Sequence, residues 1–184
     1  MPLSNLVTAA LLVASLMQPS STKPAPGADA DYNKMTPDQI KAGIASSHPS
    51  AFYILALKLF QAGQRDDAVF WFYAGQLRYR FHLIANPGLA PDGDPALFTS
   101  LSEVVGRPLN EYAFGDIDAL TATMEKVLEW DEKTDNGFTS KTTHADAWKE
   151  TRQGLGKLRD YTRSHAGELR AQRKQNGLEN RKPK

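Results

Sequence analysis

Two neighbouring apolar segments, separated by one short break, do most to limit how this chain folds. In the first, Phe52, Leu55, Ala56 and Leu59 fall at i, i+3, i+4 and i+7, on one face of a helix from Pro49 to Gln61. Gly63 follows where a helix C-terminus favours a left-handed residue, and Asp66 or Asp67 puts negative charge at the start of a second helix, Asp67 to about His82. From Ala68 to Ala74 that second helix is apolar nearly all round. Such a helix belongs between layers rather than on a surface. The pair thus sets a central antiparallel hairpin, and the rest of the chain has to cover it.

The remaining sequence supplies helices for that cover. Thr36-Pro37-Asp38-Gln39 is a helix start with a capping box and proline at the first helical position, leading a helix to about Ser46 with Ile40 and Ile44 inward. His48-Pro49-Ser50 separates it from the hairpin. Between Asn86 and Pro95, three prolines and two glycines require a loop. A helix is expected over Ala96 to Val105 with Leu97, Leu101 and Val104 or Val105 inward, ended by Gly106-Arg107-Pro108, then a single turn at Asn110 to Phe114. Asp116 caps a helix to about Lys133, Thr134 to Thr143 is loop, and Thr143 caps one long helix to about Asn176. Its stripe would be Trp148, Leu155, Leu158, Thr162 and Leu169. Period-two alternation is absent, so the expected fold is all-α: about six helices in one domain at 31–176, followed by a flexible basic tail at 177–184.

Composition bounds the partners. A formal net charge of +1 over 184 residues gives no electrostatic case for nucleic acid, and the basic C-terminal segment has no aromatic residue after Tyr161 to stack on bases. The chain has no cysteine, which removes disulfides, thiolate catalysis, Cys-based zinc sites and lipoprotein acylation. Leu6 to Met17 is an uncharged apolar run of signal-peptide length, too short for an ordinary membrane span. Ala28-Asp29-Ala30 would allow cleavage before Asp31; a cut near Ser20 or Ser21, or an uncleaved anchor, is the alternative. No Lys or Arg precedes the run, and an apolar N-terminal helix is the competing reading. Residues 1–30 are therefore expected to be a signal peptide and Pro/Ser-rich linker, and the mature chain periplasmic or secreted.

Residues 49–82 resemble a single tetratricopeptide or Sel1-like repeat. Phe52, Leu55, Ala56 and Leu59 match the first-helix pattern, and Gly63, Ala68, Phe72 and Gly75 match the turn and second helix, while Arg80 stands where the terminal proline would be. The Trp71-Phe72-Tyr73-Ala74 cluster adds the Sel1-like character. There is one such unit, with no second copy in register. The resemblance implies a surface that binds another protein and carries out no chemistry. Without stacked repeats, the same residues also read as an ordinary hairpin in a small bundle.

Chemical motifs are sparse. His48, His82, His144 and His165 show no metal-ligand spacing, and His144-Ala145-Asp146 reads as a solvated helix start. Glu125, Glu129, Asp131, Glu132 and Asp135 read as the charged outer face of a helix. No serine elbow, P-loop or dinucleotide fingerprint occurs. Asp116 to Asp135 carries seven acidic and two basic residues, and Arg163 to Lys184 seven basic and two acidic. The two segments either pair within the molecule or leave the tail for an anionic surface. The expectation is a non-enzymatic, exported module without cofactor or metal. It would bind a protein through Tyr53, Trp71, Arg78 and Arg80 at the outer face of the hairpin. Membrane contact is confined to the N-terminal segment or the basic tail. An inhibitor or immunity protein against an exported toxin is one alternative; a helical cell-envelope enzyme using His48 or His82 with a carboxylate is the other.

Overall fold

The computed structural model describes residues 31–181, and among these the chain is all-helical with no strand. The expected signal segment and linker at 1–30, and the end of the tail at 182–184, lie outside the described residues. Helix α1 spans Pro37–Gly43 and tightens into a 3-10 turn at Ile44–Ser46. Its first turn is the expected capping box: the Gln39 N–H donates to Thr36 Oγ1 at 3.3 Å and the Thr36 N–H to Gln39 Oε1 at 2.8 Å.

The hairpin comprises α2 (Ser50–Gln61) and α3 (Arg65–Ala85). Gly63 takes φ +80° at the turn, a conformation that costs little only without a side chain. Phe52, Leu55, Ala56 and Leu59 are all buried, and α3 is buried on every side from Phe72 to Tyr79. Where the two helices cross, a Cβ on Gly75 would stand 2.7 Å from the Phe52 Cβ, so only hydrogen fits there. Cover comes from α4 (Asp94–Val104), α5 (Gly106–Ala113), α6 (Ile117–Lys133) and α7 (Ala145–Ser164), with α8 (Ala166–Gln175) packed beside α7. Helices α5, α6 and α7 all lie against α3, and α6 also against α7.

Four local expectations change. Helix α4 turns Phe98 and Val105 inward and leaves Leu97 and Val104 exposed, Val104 by 72%. Its phase is set by a polar anchor, because Asp94 in its first turn is held by side chains of the hairpin region. Gly106-Arg107-Pro108 begins a helix, α5, instead of ending one, since a first-turn proline forfeits no intrahelical bond. The long C-terminal helix breaks at His165. There the Ser164 hydroxyl donates to the Tyr161 carbonyl at 3.0 Å and the His165 ring stacks on Tyr161 at 4.0 Å. The N-cap of α7 is His144, not Thr143. Beyond α8 the chain, as far as it is described, contacts the helical body: the Arg181 N–H donates to the Gly115 carbonyl at 2.7 Å and its guanidinium lies 3.6 Å from the Tyr112 ring centroid. Of the two options for the opposite charges, internal pairing occurs at Arg170 with Asp118, and Arg159, just before the basic segment, pairs with Glu125.

Candidate functional site

The four residues expected to form a partner surface separate. Tyr53 is wholly enclosed, packed edge-on against Phe72 and Tyr79, and burial pushes its phenol up to about 12. Arg78 is 2% exposed. Neither can meet a partner, because both are enclosed by neighbouring helices. Trp71 is half-buried in a cluster with Phe52, Phe70 and Trp130. Arg80 is exposed.

Arg78 instead sits in a closed polar centre. Its Nε lies 2.8 Å from Asp131 Oδ1, while Nη1 and Nη2 donate to the carbonyls of Asp135 and Thr134 at 3.2 and 2.8 Å. Its guanidinium also packs 4.9 Å from the Trp130 ring centroid. Asp131, read from the sequence as part of an outer face, is 1% exposed. It accepts from Trp148 Nε1 at 2.7 Å and Arg152 Nη1 at 3.0 Å. The Lys141 ammonium caps the carbonyls of Asp131 and Thr134. Burial lowers the Arg78 pKa, and the Asp131 carboxylate pulls the other way. This arrangement joins α3, α6, the 134–143 loop and α7, and it pairs the buried Arg78 and Asp131 charges with each other.

Arg80 faces something different. Between α3 and α7, closed at one side by Ser102 of α4 and Asn110 of α5, runs a groove of about 690 Å³. Leu77 and Leu155 line it, and Ile84 and Leu158 at its walls are 41% and 42% exposed, so it opens to solvent. Polar groups are few and ordered: Tyr73 Oη donates to Asn110 Oδ1 at 2.9 Å, Gln76 Nε2 donates to Ser102 Oγ at 3.3 Å, and Arg80 Nη1 donates to Gln76 Oε1. The guanidinium packs 5.3 Å from the Phe98 ring centroid. Burial lowers its pKa, opposed only by the Tyr53 and Tyr73 hydroxyls. On the α7 wall, Gly154 leaves open space: a Cβ there would meet nothing within 4 Å. A shallower hollow of about 250 Å³ continues past Asn110 and Phe114 toward Leu169 of α8.

On another part of α3, both expected histidines meet a carboxylate. His48 Nε2 lies 3.1 Å from Asp94 Oδ1, His82 Nε2 lies 2.9 Å from Asp94 Oδ2, and Tyr79 Oη donates to Oδ1 at 3.1 Å. The Ser50 N–H donates to His48 Nδ1 at 3.2 Å and the Asn86 amide reaches His82 Nδ1 at 3.2 Å, which leaves each Nε2 to carry the proton given to Asp94. Burial pulls the Asp94 pKa up, but the His82 hydrogen bond, with His48 and Tyr79, outweighs it and holds it below the usual carboxylate value. Burial also dominates at His48 and lowers its pKa despite Asp94. Among the described residues no cluster of three His, Cys, Asp or Glu side chains is placed to hold a metal ion. None of these residues lines the groove.

Sequence reasoning missed Asp94 and the α7 wall. Asp94-Pro95 carried a signal, an acidic residue opening a helix, but nothing in its spacing named histidines 46 and 12 residues away. Gly154 and Gly156 were a visible lapse in helix propensity on α7.

No protein-family model and no solved structure matches the chain. An uncharacterized protein of Haemophilus influenzae is 32% identical over 84 residues. That similarity covers 45% of this chain and 32% of the relative, so the chain spans about a third of the length of the protein it matches.

Proposed function

We propose that the chain is a non-enzymatic protein-binding module whose α3–α7 groove receives a helical segment of a protein partner. The observation that carries this reading is an apolar groove open to solvent along Ile84 and Leu158, with an arginine at its wall that has no carboxylate partner among the described residues. A helix laid in such a groove presents apolar side chains at i, i+3, i+4 and i+7. The hairpin, which resembles a tetratricopeptide or Sel1-like unit, supplies one wall through α3, and the contact surface moves from the hairpin's outer face to the face it shares with α7. The apolar run Leu6 to Met17 supports a periplasmic or secreted setting for this role.

The test is titration of the full chain with labelled amphipathic helical peptides, read by fluorescence anisotropy, beside a Gly154→Leu variant that fills the groove. Saturable binding lost in Gly154→Leu is the expected result. Absence of binding, or binding indifferent to that variant, rejects the groove.

A second reading rests on the Ser50–His48–Asp94 chain, in which Ser50 Oγ lies 2.7 Å from His48 Nδ1 and His48 Nε2 lies 3.1 Å from Asp94. A hydroxyl, an imidazole and a carboxylate in series are the parts of a nucleophilic hydrolase. The competing observation is that His48 Nδ1 already accepts the Ser50 backbone N–H. Hydrolysis of activated esters that disappears in Ser50→Ala and His48→Gln would favour the enzyme; rates equal to the solvent background in all three proteins would reject it.

A further inference from the structure

We infer that the groove selects a partner helix bearing a carboxylate side chain within its apolar face, and that Arg80 reads this carboxylate. The inference rests on the groove being the partner site and adds the chemistry of what enters it.

Charge complementarity supports it. A guanidinium carries five N–H donors, and the acceptor Arg80 meets among the described residues is Gln76 Oε1. Arg78 on the same helix, and Arg152 and Arg159 on α7, each have a carboxylate. Arg80 is thus an exposed cation at the groove wall with no carboxylate beside it among the described residues, and a carboxylate arriving in the groove would supply the opposite charge. The opposite wall contributes Lys157 and Glu150, whose charges cancel, so Arg80 sets the sign of the site.

Its geometry suits a planar anion. The guanidinium face packs on Phe98, and Gln76 is itself tied to Ser102, so the arginine is held from behind and from one side. An edge of the fork is left for a bidentate pair. On the apolar side, the empty space over Gly154 accepts a bulky side chain from the incoming helix. A helix one turn from its carboxylate to a Leu or Phe spans about 5 Å, the scale on which an anchor pair is read.

The experiment uses three helical peptides with one apolar face and a central Glu, Gln or Lys, titrated against the full chain and the Arg80→Gln, Arg80→Lys and Gly154→Leu variants. Thermal melts establish that each variant is folded. The Glu peptide is expected to bind about tenfold more tightly than the Gln peptide, a factor of order 1.4 kcal/mol, with the Lys peptide weakest. Arg80→Gln should erase the Glu preference, while Arg80→Lys should retain part of it. Equal binding of the Glu and Gln peptides, preference for Lys, or a Glu preference that survives Arg80→Gln overturns the inference while leaving the groove as the site. A reduced but remaining Glu preference in a folded Arg80→Lys supports it if Arg80→Gln does not fold. No binding by any peptide, or binding untouched by Gly154→Leu, overturns both readings together.

Discussion

Arg78 and Arg80 stand two residues apart on α3 and live in opposite surroundings. Arg78 is closed into a centre where Asp131, two carbonyls and Trp130 account for its guanidinium. Arg80, turned well around the helix, lies against a groove with a glutamine for company. The same side chain serves two ends because a helix rotates about 100° per residue, and the two arginines therefore address different layers. Charge that the fold has neutralised holds helices together, whereas charge left without a counterion is available to something else. A buried arginine on α3 is thus a structural clamp, and its near neighbour is the candidate for recognition.

The largest expected effect breaks the clamp. Arg78→Met leaves the buried Asp131 without its Oδ1 ion pair, only Oδ2 being held by Trp148 and Arg152, and is expected to cost about 3–5 kcal/mol, measured by urea unfolding. Arg80→Met should change stability by no more than about 0.5 kcal/mol. Equal losses would mean that Arg80 is also a structural residue. Next in size is the contrast between Gly75, on α3 where it crosses α2, and Gly154 on α7. Gly75→Ala drives a methyl to within 2.7 Å of Phe52 and should cost about 1–3 kcal/mol in the same assay. Gly154→Ala, entering open space in a helix interior, should gain about 0.5–1 kcal/mol. A loss at Gly154 would show that the groove wall is tighter than its geometry.

The smallest effect is a pH dependence from the third environment on α3. His48 faces Asp94, His82, Tyr79 and Ser50, and its pKa is lowered in the fold. The unfolded chain therefore binds more protons just below pH 6.5. Stability from this group is fully present above its unfolded pKa and is lost as pH falls through the lower folded value. Asp94, also lowered, acts in the same direction, but in the window below 3.8. Thermal melts of wild type and His48→Gln between pH 7 and 5 should differ in slope, the variant being flatter. Parallel curves would remove His48 as the source.

Much of the helical frame was legible because it follows from local rules. Thr36 and Asp116 cap where their side chains promise, Gly63 turns the hairpin, and the 3.6-residue spacing of Phe52, Leu55, Ala56 and Leu59 fixes a buried face. Polar residues misled the reading because their burial depends on partners far along the chain. Asp131 sits in a run of acids that looks solvated, and only Arg78 and Trp148 arriving from other helices make it interior. Arg78 looked like a contact residue for the same reason. The phase of α4 failed at Leu97 because the Asp94 anchor, rather than the apolar pattern, decides which side faces in. The groove could not be read at all, since it belongs to the space between α3 and α7 and to no segment alone.

The centre around Asp131 also bears on the order in which the molecule assembles. Arg78 and the Thr134 carbonyl are 56 residues apart in sequence, and Trp148 and Arg152 must come from yet another helix. The α2–α3 hairpin, by contrast, joins neighbours through a tight turn. Local pairing precedes distant pairing when loop closure is the cost, so the hairpin is expected to be formed in the folding transition state and the charged centre to be desolvated after it. In stopped-flow measurements Gly75→Ala should then slow folding, while Arg78→Met should mainly hasten unfolding. The ion centre would act as a lock on the way out rather than a guide on the way in.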